Sequence, residues 1–390
     1  MSKLSEYIPN RVEEFLPTVW GGVDSLLYAY ASLTPSDFAV LVYTSDAAEA
    51  AIWVSLGLEK GQIPYCRVWT NPLVDFEFED VFRNAIPCID KIQGRLVVFT
   101  FERDTMSHTE TLNRIVETFP HSKRLVYRVI SASRELFETA LLSTPQHLEA
   151  LNTTLLKHFM PARRLRITTQ SGTELSVSLN SERHRWISNR GIAKEGGTII
   201  LPAGEVATYP VSVDGIFVAD FAFNVNTVTS RDARLSSSPV KLELKNGHLQ
   251  SFSCSDAQVY SFIEKCLASP CAPRVGELGF GTNPSVHDPI SLNSHINERR
   301  PGVHLGFGQH NQDPGVVDYQ CEIHLDLIAR GGKVWVDDSD VPIDLEQVIP
   351  SEGTHPRSTR DEDVFSPEVL ILDSGCCGST GLVSVCVNNE

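Results

Sequence analysis

The chain has 390 residues, 42% of them hydrophobic and 21% charged, a composition typical of a globular protein with room for two domains. Its net charge of −16 excludes sequence-independent binding to nucleic acid, which needs a basic surface. No apolar run reaches the roughly 18 residues of a membrane span, and the opening MSKLSEYIPNRVEEFLPTVWGG lacks the pattern of a secretory leader, so a cytoplasmic location is expected.

The first part of the chain alternates short apolar strands with amphipathic helices. FAVLVYT (38–44) reads as a strand and DAAEAAIWVSLGLEKG (46–61) as a helix closed by glycine. RLVVFTF (95–101) is a second strand, SHTETLNRIVETF (107–119) a helix and RLVYRVI (124–130) a third strand, ahead of helices over 132–159. This alternation predicts an α/β domain over residues 1–160 with a parallel or mixed sheet. No glycine-rich G-x-G-x-x-G turn follows any of these strands, so a dinucleotide site has no support.

From residue 161 the character changes. RLRITT and ELSVSLN, joined by QSGT, predict a hairpin. GTIILPAGEVATYP, GIFVADFAFNV and PVKLELKNGHLQSFSC continue the strand-rich pattern, DAQVYSFIEKCLAS (256–269) interrupts it as a helix, and VGELGFG and GVHLGFG resume it. Residues 161–390 are therefore read as a β-rich α+β domain whose stretch SEGTHPRSTRDED (351–363) is a loop or partly disordered. The nine cysteines are odd in number and irregularly spaced, which predicts reduced thiols, and Cys376-Cys377 reads as part of a Gly-rich turn.

The stretch CEIHLDLIAR (321–330) places His324 and Asp326 two residues apart, on the same face of a strand. Burying an imidazole and a carboxylate among apolar neighbours requires that they pair with each other or bind a metal. Three further segments put single polar residues into similar surroundings: LPAGEVATYP carries Glu205, RVGELGFGTN carries Glu277, and RRPGVHLGFGQHN carries His304 and His310. Each alone is an ordinary salt-bridge partner or core histidine. Together they make a candidate carboxylate-rich metal site.

These segments, in this order, resemble the thermophilic metallo-aminopeptidases of the aminopeptidase T and aminopeptidase S type. The likeness runs from RRLRITTQSGTELSVSLN through GGTIILPAGEVATYPVSVDG, RVGELGFGTN and NERRPGVHLGFG to EIHLDLI, over residues 160 to 335. It implies an aminopeptidase T-like fold, a homodimer, and a pair of divalent ions (Zn, Co or Mn) held by Glu205, Glu277, His304, His324 and Asp326. The sequence departs from the family where a tyrosine is expected and Asn311 stands, and where a D-E-K run reads Asn297-Glu298-Arg299.

The first functional reading is therefore a hydrolase or protease of the aminopeptidase kind. It would act on a short peptide or other small-molecule amide through metal-activated water, with Glu298 or His310 as proton carrier. NSERHRW (180–186) reads as a solvated turn or as pocket lining, with His184 as a further catalytic candidate. The alternative is oxidative. His304, His324 and Asp326 alone form a 2-His-1-carboxylate set suited to Fe(II), as in the 2,5-dihydroxypyridine 5,6-dioxygenases, a branch that resembles these aminopeptidases. A third reading is a metal-stabilised scaffold without activity.

Overall fold

The computed structural model describes residues 12–103, 106–313 and 315–356, with side chains from residue 18 onward. The Cys376-Cys377 turn lies outside the described residues, as does the loop beyond residue 356. Among the described residues, no helix is long and apolar enough to cross a membrane.

The strands Phe38–Tyr43, Tyr65–Trp69, Leu96–Phe101 and Arg124–Val129 form a parallel sheet, with Phe38–Tyr43 between Tyr65–Trp69 and Leu96–Phe101. Leu96–Phe101 is buried along its whole length because helices cover both sheet faces, which explains its unbroken apolar run. The fifth strand, Thr198–Leu201, pairs in parallel with Arg124–Val129. A boundary at residue 160 therefore does not separate the sheets, since four residues of the second half complete the first sheet.

GTIILPAGEVATYP is not one β segment but two. Pro202 has no N–H to donate, and Gly204 adopts φ +112°, a conformation that favours glycine. The chain turns there and re-emerges as Glu205–Thr208 in a six-stranded antiparallel sheet. That sheet runs Ala222–Val225, His324–Ile328, Gly302–Gly308, Val275–Gly281, Glu205–Thr208, Trp186–Asn189. A seven-stranded sheet, which includes the expected hairpin Arg164–Thr168 and Glu174–Ser178, stacks on one of its faces.

Period-two alternation decides which residues enter that sandwich. Val206, Leu278, Phe280, Leu305, Phe307, Leu325 and Leu327 point into the core shared with Ile167, Val177 and Phe217. Each such side chain contributes roughly 1.5–3 kcal/mol on burial. The intervening residues of the same strands face the other way. Cys271 and Cys321 form a disulfide with Cα atoms 5.6 Å apart, which corrects the expectation of reduced thiols throughout. Spacing along the chain carried no sign of it, because the pair is brought together only by the fold across 50 residues.

Candidate metal centre

Glu205, Glu277, His304, His324 and Asp326 lie on four adjacent strands of the six-stranded sheet, on the face away from the sandwich core. All five are buried. Register explains their convergence. Gly306 pairs with Glu277 on one side and Asp326 on the other, so a residue without a side chain separates two carboxylates. A Cβ at Gly306 would sit 2.9 Å from Asp326 Oδ1, Glu277 Cβ and His324 Cε1 alike. Gly279 similarly faces His304, and any side chain there would run into its Nε2. The main chain of Glu205 is anchored by Asn152, whose Nδ2 donates to Glu205 O at 2.9 Å and Asn189 O at 3.2 Å.

Two groups of donors result, each with its ligand atoms within 4.8 Å: Glu205, Glu277 and His304, and Glu277, His324 and Asp326. Glu277 belongs to both. His304 Nε2 lies 2.9 Å from Glu205 Oε1 and 3.6 Å from Glu277 Oε1, and His324 Nε2 lies 3.2 Å from Asp326 Oδ2. The 2.9 Å approach is not aligned as a hydrogen bond, and neither nitrogen of His304 has a hydrogen-bond partner. Asp326 Oδ1 lacks one as well. Buried polar atoms left in this state are costly unless something else satisfies them. Two donors on one metal, each about 2.1 Å from it, stand about 3 Å apart, close to the observed separations. The mixed imidazole and carboxylate set suits Fe, Mn, Co or Zn. His324 Nδ1 lies 3.0 Å from Gln309 O; donating there turns the lone pair of Nε2 toward the site.

The electrostatics follow from burial and close charges. Burial alone would lower both histidines, but the carboxylates outweigh it: Glu205 and Glu277 hold His304 well above its usual range, and Asp326 raises His324 to about 10. For Asp326, burial opposes ionisation but His324 prevails, and its carboxyl is held far below the ordinary range. Glu205 is also lowered against burial, chiefly by Arg299. Glu298 goes the opposite way. Burial and the Asp326 carboxylate push it well above the usual range.

The two expected proton carriers and the further candidate His184 fall in different surroundings. Glu298 lies beside the centre, with Asn224 Nδ2 on its Oε1 and Arg299 NH1 3.3 Å from its Oε2. His310 has both ring nitrogens engaged by main chain, Nε2 with Tyr319 O at 2.9 Å and Nδ1 with Gln312 N at 3.2 Å. His184 is buried, which lowers its pKa, and its Nδ1 has no partner. His184 and His310 both meet Tyr209 edge-on, and His310 also meets Tyr319, forming an array of flat rings.

Two residues at the centre escaped the sequence reading of roles. Arg299, buried, forms an ion pair with Glu205 and donates from Nε to Pro202 O at 3.0 Å. Asn311, also buried, donates from Nδ2 to Glu277 Oε2 at 2.9 Å. Both were visible only as departures from the aminopeptidase pattern.

A family model described as NicX, 2,5-dihydroxypyridine 5,6-dioxygenase, matches residues 83–346, which include all five donors. The chain belongs to that family. It is structurally similar to the 2,5-dihydroxypyridine dioxygenase of Pseudomonas putida KT2440, with TM-score 0.58 and 13% identity over 85% of this chain and 97% of that one. It is also similar to AmpT from Thermus thermophilus, with TM-score 0.50 and 13% identity over 85% of this chain and 99% of that one. At such identity both likenesses bear on the fold alone. No curated protein matches the chain. Family membership favours the oxidative reading over the aminopeptidase reading, which retains only a structural likeness.

Proposed function

We propose that the protein is a mononuclear non-haem Fe(II) dioxygenase that opens a hydroxylated, electron-rich ring of the dihydroxypyridine kind. The observation that carries this reading is family membership joined to two histidines and an aspartate on adjacent strands, with His304 Nε2 and Asp326 Oδ1 left without hydrogen-bond partners. His304, His324 and Asp326 would hold the ion, and Glu277 stands within reach of both donor groups. Bound there, ferrous iron would supply the one-electron chemistry that lets dioxygen react with an organic ring.

The protein's own groups then have defined tasks. Gln309 O fixes the tautomer of His324, and Glu298, raised above the usual carboxylate range, stands beside Asp326. The Tyr209, His184 and His310 rings offer faces for a flat substrate. His184, whose pKa burial lowers, accepts the proton of a ring hydroxyl at Nδ1 as the ring becomes electron-rich. His310 serves to shape the array, since its nitrogens are already in use.

The test is oxygen consumption by the anaerobically iron-loaded protein with 2,5-dihydroxypyridine and related hydroxylated rings. Uptake of one O2 per ring lost supports the reading. Absence of uptake across the series, together with release of amine from aminoacyl amides, would return the protein to the hydrolases.

A further inference from the structure

The two donor groups share Glu277, so the scaffold offers ligands for two ions. A second ion would need Glu277 to bridge with both oxygens and Glu205 to turn toward the metal. Each carboxylate has one oxygen already taken. Glu205 Oε2 is paired with Arg299 NH1, and Glu277 Oε2 accepts from Asn311 Nδ2 at 2.9 Å.

Neither donor is free to swing away. The Arg299 guanidinium is 2% exposed, and its Nε is tied to Pro202 O at 3.0 Å while NH1 lies 3.3 Å from Glu298 Oε2. A planar guanidinium fixed in this way is a permanent cation with directional donors, unlike a mobile ammonium. Asn311 is oriented in turn by Gln312, whose Nε2 donates to Asn311 Oδ1 at 2.5 Å and whose Oε1 accepts from Arg185 N at 2.8 Å. The amide of Asn311 is thereby set with its NH2 toward Glu277.

We propose that Arg299 and Asn311 fix the metal count at one: the guanidinium stands as a built-in cation in the Glu205 group, and the amide denies Glu277 the second oxygen needed for a bridge. They are positioning residues, acting on the ion through Glu205 and Glu277. The inference rests on the one-ion reading above.

The experiment titrates the metal-free full chain with Mn(II) without oxygen, counts bound ions per chain by equilibrium dialysis, and records the electron paramagnetic resonance spectrum. Wild type is expected to saturate at one ion with an isolated-Mn spectrum. The Arg299→Met, Asn311→Ala double variant is expected to take up two ions and to show a spin-coupled pair. Two ions in wild type would overturn the one-ion reading itself. One ion in wild type and one in a folded double variant, with the first ion's affinity unchanged, would overturn only the inference. Should Arg299→Met prevent folding, the Arg299→Gln, Asn311→Ala variant takes its place, since glutamine removes the cation and keeps a polar side chain. Two ions per chain are expected, and one ion in that folded variant would refute the inference.

Discussion

Gly306→Ala isolates the space in which the ion is expected to sit. The new methyl would lie 2.9 Å from Asp326 Oδ1, Glu277 Cβ and His324 Cε1, whereas comfortable contacts of carbon lie at about 3.5–4.0 Å. Three ligand-bearing side chains must therefore each recede by roughly 0.5–1 Å, against the about 0.2 Å that metal–ligand distances tolerate. Backbone strain plays no part, because Gly306 is not among the glycines with positive φ. We expect metal affinity to fall about 10–100-fold, as for other losses of ligand placement, while overpacking costs only about 1–3 kcal/mol of stability. The neighbouring Leu305 points into the sandwich core instead, so Leu305→Ala should cost about 2–5 kcal/mol and leave metal affinity nearly unchanged. Chelator competition and denaturant titration of the two variants measure both quantities. A Gly306→Ala protein that binds metal as wild type does would refute the placement of the ion beside His324 and Asp326.

Asp326→Ala and His304→Ala should each abolish tight binding of the ion, which elemental analysis after dialysis would show, with the far-ultraviolet circular dichroism unchanged. Metal affinity should fall as the pH is lowered. His324 is raised to about 10, so below that pH it binds a proton that the ion must displace, and His304, raised above its usual range, acts in the same direction. The expected slope is about tenfold per pH unit near neutrality, and a flat profile in chelator competition would count against imidazole ligation. Asn152→Ala leaves Glu205 O, Asn189 O and Thr282 Oγ1 without this partner, at roughly 1–3 kcal/mol for each group that finds no other, measurable as a lower denaturation midpoint.

Much of the centre was legible in the sequence because strand alternation is a local property. In HLD, ELGFG and GVHLGFG, every second residue is either a donor or a glycine, and the residues between are core apolar groups. That pattern placed Glu277, His304, His324 and Asp326 on one face. What stayed hidden depends on contacts distant in sequence. Arg299 meets Glu205 across 94 residues, and nothing in NERRPG marks it as a buried cation. Asn311 could be recognised as unusual but not as the partner of Glu277. The strand Thr198–Leu201 looked continuous with the Glu205 strand because its apolar run gives no hint of which sheet receives it.

The central claim is oxidative ring opening, and the most direct test is the fate of isotopically labelled dioxygen in a single turnover of the iron-loaded protein with 2,5-dihydroxypyridine. The account predicts a ring-opened product carrying both atoms of the labelled O2. A product that takes its new oxygen from water, with no label from O2, would contradict it and point back to hydrolysis.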